Sequence, residues 1–359
     1  MKNRRGFLMA FVVAVVGFLF VVPFCGAAVM YEQVFGKRTK ISDSPLLPKF
    51  EDFSDMDRRQ VRFPSNRGQM LTGYVYSARE GGDTKPKGLV VLSHGLGGGH
   101  SSYLYEIDYF VGQGYDVFAY DNTGCYESEG EDMVGLVQSC IDLDYALRYV
   151  ESDPMLSGPT VLYGHSWGGY AVAAVLNYGH DVAAIVSRSG FNRSQDMLID
   201  QGVSMVGNVA KVLSPYLRLY EMIKFGRASG FTGVGGIDSS DADVMIIQSS
   251  DDQVVKLKDS IYGHLGECTR AGDVETILFE DKGHDVVASY EAMAYIAERE
   301  EEAERLKEMF GGYEQIPEGE VEKYYQSADK KLITDLDLEL MDRISAFFDR
   351  AVGAVGSEQ

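Results

Sequence analysis

Gly164-His165-Ser166-Trp167-Gly168-Gly169 has the G-x-S-x-G spacing of a nucleophile elbow. The strand-like run Thr160 to Tyr163 precedes it and a small-residue helical segment follows it. A turn this tight exposes the serine hydroxyl, and glycine is required where strand and helix approach closely. Ser166 is therefore the candidate nucleophile. Its hydroxyl needs a base to attack at neutral pH, and histidine titrates in the right range. Of six histidines, His284 is the best placed. It sits in the loop Asp281-Lys282-Gly283-His284, just past the strand-like segment Glu275 to Phe279. His94, His100, His165, His180 and His264 are weaker candidates. An imidazole also needs a carboxylate to hold its tautomer. Asp252, or its neighbour Asp251, follows the apolar run Val244 to Ile247. The glycine loop His94-Gly95-Leu96-Gly97-Gly98-Gly99 follows an early strand, where the second half of an oxyanion hole belongs. The backbone amides of Leu96 and Trp167 are the candidate donors, the latter at a helix N-terminus whose dipole favours negative charge. No phosphate-binding glycine loop and no metal-ligand cluster accompanies these residues, and no cofactor is expected.

The surrounding pattern must bring these strand ends to one edge. Val61 to Pro64 and Met70 to Tyr76 read as a hairpin around Ser65-Asn66-Arg67-Gly68. After a loop from Glu80 to Pro86, short apolar runs recur at Gly88 to His94, Tyr115 to Tyr120, Thr160 to Tyr163, Ala183 to Val186 and Val244 to Ile247. Each has the continuous apolar character of a strand buried on both faces. Leu136, Cys140, Ile141, Leu143, Leu147 and Val150 keep helical spacing, as do Ala171, Val172, Val175 and Leu176. Alternating strands and helices predict an α/β protein with a mostly parallel, doubly wound sheet, reactive groups lying at the strands' carboxyl ends. Two insertions interrupt the alternation. Residues 191–240 contain a helix-like Met197 to Phe225 and occupy a lid position, and residues 285–331 form a charged helical insertion. In the lid, Met197, Leu198, Val203, Met205, Val206, Val209, Val212, Leu213 and Leu217 are expected either to line its underside and receive an acyl chain or simply to pack the lid on the body. Leu338, Met341, Ile344, Phe347 and Phe348 predict a closing helix.

Fifty-four acidic against thirty-three basic side chains give a formal charge of -21, which opposes nucleic-acid binding. The N-terminus departs from this. Lys2, Arg4 and Arg5 precede an uncharged apolar run from Phe7 to Phe24. Residues 1–28 therefore read as a signal peptide or a membrane anchor, with Gly26, Ala27 and Ala28 a candidate cleavage site. The expected location is extracytoplasmic, secreted or tethered by the N-terminus. Residues 29–57, with Pro45 and Pro48, read as a spacer to a folded body spanning 58–359. Cys125, Cys140 and Cys268 are scattered in the manner of small buried hydrophobes.

Taken together, these motifs resemble the α/β-hydrolase superfamily, in particular its bacterial esterase, lysophospholipase and serine-aminopeptidase-like branch. The resemblance runs from about Arg58 to Val352. His94-Gly95 resembles the oxyanion loop, Asp121-Asn122-Thr123-Gly124 the Asp-x-x-Gly turn, and Gly164 to Gly168 the elbow. Ser249 to Val255 resembles G-x-x-D-x-V-V, with serine in place of the first glycine, and Gly283-His284 resembles the final G-H. The resemblance implies an α/β-hydrolase fold with a helical lid, Asp252 rather than Asp251 as the acid, and a Ser166–Asp252–His284 triad. It also implies hydrolysis of a small acyl substrate, most simply a carboxylic ester. A serine exopeptidase would need the same residues, as would a thioesterase, and an exported binding protein could keep the fold without turnover.

Overall fold

The computed structural model describes residues 2–42, 44–79, 85–156 and 158–357; most of the loop read at Glu80 to Pro86, residues 80–84, lies outside the described residues. The N-terminus is one continuous helix: α1 (Lys2–Val16), a π-helical turn (Gly17–Val21) and α2 (Val22–Phe35). Strands β1 (Met56–Pro64) and β2 (Met70–Ala78) form the expected antiparallel hairpin. There follow β3 (Leu89–Ser93), α3 (Leu104–Gly112), β4 (Asp116–Tyr120), α4 (Gln138–Ser152), β5 (Thr160–His165), α5 (Trp167–Ala174) and β6 (Ala184–Arg188). The lid comprises α6 (Ser194–Val206), α7 (Val209–Phe225) and the short α8 (Gly233–Asp238). After β7 (Asp243–Ser249) and β8 (Val274–Phe279) come α9 (Tyr290–Phe310), α10 (Glu318–Gln326), α11 (Lys330–Ile333) and the closing helix α12 (Leu338–Ser357).

The eight strands form one sheet in the order β1-β2-β4-β3-β5-β6-β7-β8, antiparallel at β1–β2 and β2–β4 and parallel from β4 through β8. Side chains alternate between two cores. Leu89 and Val91 of β3 pack with α4 and α5 on one face, and Val90 and Leu92 pack with α3 and α12 on the other. Burial on both faces explains why these strands read as unbroken apolar runs. The order places β3, β5, β6 and β7 side by side, so the loops after them open on one edge.

Two expectations differ from the structure. The lid segment Met197 to Phe225 is two helices rather than one, because Gly207 takes the left-handed φ of +68° and ends α6. The first part of the segment read as a spacer is instead helical and docked. Ala27, Tyr31 and Phe35 recur at i, i+4 and i+8 and are buried against the body. The apolar run before them dominated the sequence reading, yet the next two turns also carry a one-sided apolar stripe. All four cysteines are unpaired, Cys125, Cys140 and Cys268 being buried. The N-terminal helix from Arg4 to Phe35 is long and apolar enough to cross a membrane, and its most apolar stretch lies outside the protein core.

A buried carboxyl joins helix and lid. Glu221 of α7 accepts hydrogen bonds from Ser194 Oγ (3.0 Å) and Tyr31 Oη (3.4 Å). Burial raises its pKa from 4.5 to about 7. Because the folded state binds this proton more tightly than the unfolded chain, stability falls as pH rises from about 4.5 to about 7 and then levels. Glu221→Gln is expected to remove that slope. Chemical denaturation at several pH values checks this, and an unchanged slope in the variant would contradict it.

Candidate active site

The elbow is built by backbone contact. A Cβ on Gly168 would lie 1.9 Å from the Ser93 carbonyl oxygen at the end of β3, and one on Gly164 would lie 2.2 Å from the Gly168 carbonyl oxygen. Neither space admits a methyl group. The turn forces Ser166 to φ +56° and ψ −109°, a conformation costing roughly 1–3 kcal/mol for a residue with a Cβ. Its amide donates to the Arg188 carbonyl (2.9 Å), and its own carbonyl accepts from Tyr170 N in the first turn of α5. Ser166 is 8% exposed, open only at the sheet edge.

His284 and Asp252 meet there. His284 Nδ1 lies 2.8 Å from Asp252 Oδ2, and Asp252 is buried while the imidazole keeps one side open. The Val254 and Val255 amides donate to Asp252 Oδ1 at 2.8 and 3.0 Å, and Gln248 Nε2 donates to Oδ2 at 3.1 Å. These bonds orient the carboxylate toward the imidazole. Asp251 does a different job: it accepts from Ser249 Oγ (2.5 Å) and from the Gly283 amide (2.9 Å), pinning the loop that carries His284. Ser249, the departure from the usual glycine, also accepts from Lys282 N (3.0 Å) and so becomes part of that brace.

The structure thus pairs Asp252 with His284 and carries Ser166 on the adjacent elbow, next to His165. Among the described residues no hydrogen bond joins Ser166 Oγ to His284, and such bonds often tighten only with substrate bound. Proximity is fixed through the serine's neighbours. The His165 and His284 ring centroids are 4.8 Å apart, and the His284 carbonyl accepts from Ser189 Oγ (2.7 Å) and His165 Nε2 (3.4 Å). On the other side a Cβ on Gly95 would lie 3.3 Å from His165 Nδ1, so the His94–Gly99 loop abuts the elbow. The Leu96 and Trp167 amides make no hydrogen bond among the described residues, which leaves both free to donate. The Trp167 side chain is buried, its indole N–H donating to the Leu136 carbonyl (2.6 Å).

Several supporting residues escaped the sequence. His94 is wholly buried; its Nε2 accepts from the Asn122 amide (2.9 Å), which assigns the proton to Nδ1 and lets it donate to the Gly95 carbonyl (2.8 Å). Burial lowers its pKa, keeping it neutral. Tyr103 Oη accepts from the Gly95 amide (2.8 Å) and bonds His165 Nδ1 (2.9 Å). Burial, then Arg188 and His284, hold His165 well below the usual histidine range, so its Nδ1 accepts the Tyr103 proton and its Nε2–H faces the His284 carbonyl. Arg188, ending β6, is buried between the Tyr103 and Tyr163 rings and pairs with Glu106 (2.7 Å) and Asp285 (2.6 Å). Of these, His94 and His165 were named from the sequence only as weaker candidates for the base, and Tyr103 and Arg188 were not singled out.

An apolar cavity of about 290 Å³ lies under the lid, lined by Leu96 of the glycine loop with Leu136, Met197, Leu198, Leu217 and Val254; Ser166, Asp252 and His284 are not among its lining residues. Met205 and Val206 also line it at its exposed rim, but Val203, Val209, Val212 and Leu213, also expected on the lid's underside, are not among its lining residues, and Val209 and Val212 are exposed. The break at Gly207 turns α7 so that they lie on the outer surface. The fourth wall comes from Met30, Tyr31, Val34 and Phe35 of α2.

A family described as serine aminopeptidase, S33, matches residues 84–230, which include the elbow and most of the lid but neither Asp252 nor His284. No curated protein sequence matches the chain. Among solved structures, an esterase of Pyrococcus furiosus, 16% identical, superposes on 75% of this chain and 97% of its own with a TM-score of 0.54. Acetyl xylan esterase 1 of Thermoanaerobacterium, also 16% identical, covers 69% of this chain and 84% of its own with a TM-score of 0.51. An acylaminoacyl peptidase of Pyrococcus horikoshii, 15% identical, covers 66% of this chain and 39% of its own with a TM-score of 0.50. The sheet order, with the elbow after its fifth strand, is the α/β-hydrolase fold. The chain therefore has the α/β-hydrolase fold, and its central part, residues 84–230, is similar to the serine aminopeptidase family.

The elbow contact gives a direct stability test. Gly168→Ala should destabilise by more than about 4 kcal/mol, because two backbones must separate to admit the methyl group. Gly112→Ala, where nothing lies within 4 Å, should change stability by less than about 1 kcal/mol. Thermal melts of the two variants check the contrast, and equal melts would contradict it.

Proposed function

We propose that this protein hydrolyses carboxylic esters through an acyl-enzyme on Ser166, with His284 as general base and acid and Asp252 as its orienting carboxylate. Ser166 Oγ attacks the ester carbonyl carbon while His284 Nε2 takes its proton. Asp252 accepts from Nδ1–H and stabilises the imidazolium. The Leu96 and Trp167 amides donate to the oxyanion. Collapse expels the alcohol, protonated by His284. Water, deprotonated by the same imidazole, then releases the carboxylic acid and restores Ser166. The observation that carries this reading is the 2.8 Å Asp252–His284 pair together with the strained Ser166 elbow; an apolar cavity lined by Leu96 and Val254, neighbours of the site, adds to it. The N-terminal helix supports an extracytoplasmic location, as a leader or an anchor.

The serine-aminopeptidase match and the acylaminoacyl peptidase neighbour favour peptide hydrolysis as a second reading. An aminopeptidase must hold a substrate ammonium with free carboxylates. No acidic residue lines the apolar cavity, and the lid's acids are engaged: Asp196 with Arg193 and Arg218, Asp200 with Lys256 and Lys258, Glu221 with Ser194 and Tyr31. Ester hydrolysis fits this lining better.

Ser166→Ala and His284→Ala should each lower kcat for a p-nitrophenyl ester by about 10³-fold or more with little change in melting temperature. Asp252→Asn should lose more activity than Asp251→Asn, since only the former faces the imidazole. Steady-state kinetics decide the matter. Retention of activity within about tenfold in either alanine variant, or the reverse order of the two aspartates, would remove the assignment.

A further inference from the structure

We propose that the N-terminal helix is a retained part of this enzyme, fixed in a bilayer by its first half and walling the acyl pocket with its second, so that the site takes acyl chains of ester lipids from the membrane. This deepens the esterase reading and rests on it. The helix is unbroken from Lys2 to Phe35. Its apolar part stays outside the core, Phe7, Phe18 and Val22 being exposed, whereas Ala27 is 0% and Tyr31 2% exposed. The eighteen residues from Phe7 to Phe24 span about 27 Å, close to the thickness of a bilayer's hydrocarbon core.

The second half is fastened to the lid by specific bonds. Tyr220 Oη donates to Glu32 (2.6 Å), Lys224 pairs with the same carboxylate, and Tyr31 Oη reaches Glu221. The Phe35 carbonyl accepts from Met133 N (3.1 Å). Further out, Tyr216 Oη donates to the Leu19 carbonyl (2.6 Å) and Phe24 packs edge-on to Tyr220. Removal of a leader at Gly26–Ala28 would cut through this docked stretch, discarding the Leu19, Phe24 and Ala27 contacts and exposing a new charged amine beside the cavity.

Depth follows from helix rise. Met30, the first wall residue, lies six residues beyond Phe24, about 9 Å along the axis. That places the pocket at headgroup level, where the ester groups of glycerolipids lie. The outward face of the lid agrees. Val209, Val212, Leu219 and Ile223 share helical spacing with Tyr216 and are exposed next to the helix that Tyr216 touches. A bilayer both holds the neighbouring helix and covers this stripe. The net charge of -21 selects neutral or zwitterionic over anionic membranes.

The test uses the full chain expressed in bacteria and reconstituted in phosphatidylcholine vesicles. Mass spectrometry of the membrane fraction should find the N-terminal segment intact; a soluble product starting after Ala28 with undiminished activity on decanoyl esters would overturn retention. Met30 is then changed in both directions, because opposite shifts cannot arise from misfolding. Met30→Trp should lower the ratio of decanoyl to acetyl p-nitrophenyl ester kcat/KM by roughly tenfold, and Met30→Ala should raise the optimal chain length. A profile unmoved by both, or moved the same way, would overturn the pocket wall while leaving the esterase reading intact. Hydrolysis of 1-decanoylglycerol should be faster in phosphatidylcholine than in phosphatidylglycerol vesicles, and equal or reversed rates would overturn the membrane selectivity. Absence of turnover on every ester would instead overturn the esterase reading, and this inference with it.

Discussion

The site depends on the backbone contact between α5 and the end of β3. With the Gly168 Cα packed against the Ser93 carbonyl, helix and strand are closer than any side chain allows. The chain can enter α5 only through a residue at positive φ, and that residue is Ser166. Because β3 and β5 are hydrogen-bonded neighbours, the same contact brings the His94–Gly99 loop against the elbow. One packing constraint therefore sets both the serine and the glycine loop proposed to supply the second oxyanion donor. Pre-set dipoles of this kind need no reorganisation when charge develops.

Around this contact the protein separates two environments. Behind the imidazole, Tyr103, His165, Arg188, Ser189 and Asp285 form a polar brace linking the glycine loop, the elbow and the His284 loop. Burial keeps His94 and His165 neutral, so each ring has one donor and one acceptor nitrogen and locks one loop arrangement. Arg188 is almost wholly buried, and its two carboxylate partners offset a desolvation cost that would otherwise be several kcal/mol. On the lid side, beyond Leu96 and Val254, a cavity has an apolar lining supplied by the lid and α2. In the proposed mechanism the reacting carbonyl sits at the boundary between these two environments.

The readable parts of this arrangement were those encoded locally. The elbow carries its own glycines, and the strands on either side are apolar on both faces, so Ser166 and the parallel sheet could be inferred from short windows. His284 and the Asp251-Asp252 pair were legible as strand-end residues. The choice between the two aspartates needed a family resemblance, because it turns on which carboxylate faces across to β8's loop. The structure gives Asp251 the Gly283 amide and Asp252 the imidazole. Tyr103, Glu106 and Arg188 were invisible for a related reason: their partners lie 82 to 97 residues away or on another strand end. The docking of α2 was hidden by the apolar run that precedes it, and the break at Gly207 by the uninterrupted helical composition of the lid.

The central claim is that Ser166 is an activated nucleophile, which a mechanism-based phosphonylating reagent reads directly. The intact protein would be treated with a fluorophosphonate at neutral pH, digested, and the adduct mapped by tandem mass spectrometry. The account predicts one adduct per chain, on Ser166, at a rate that falls by orders of magnitude when His284 is replaced. No adduct, or an adduct on a different serine, would contradict it.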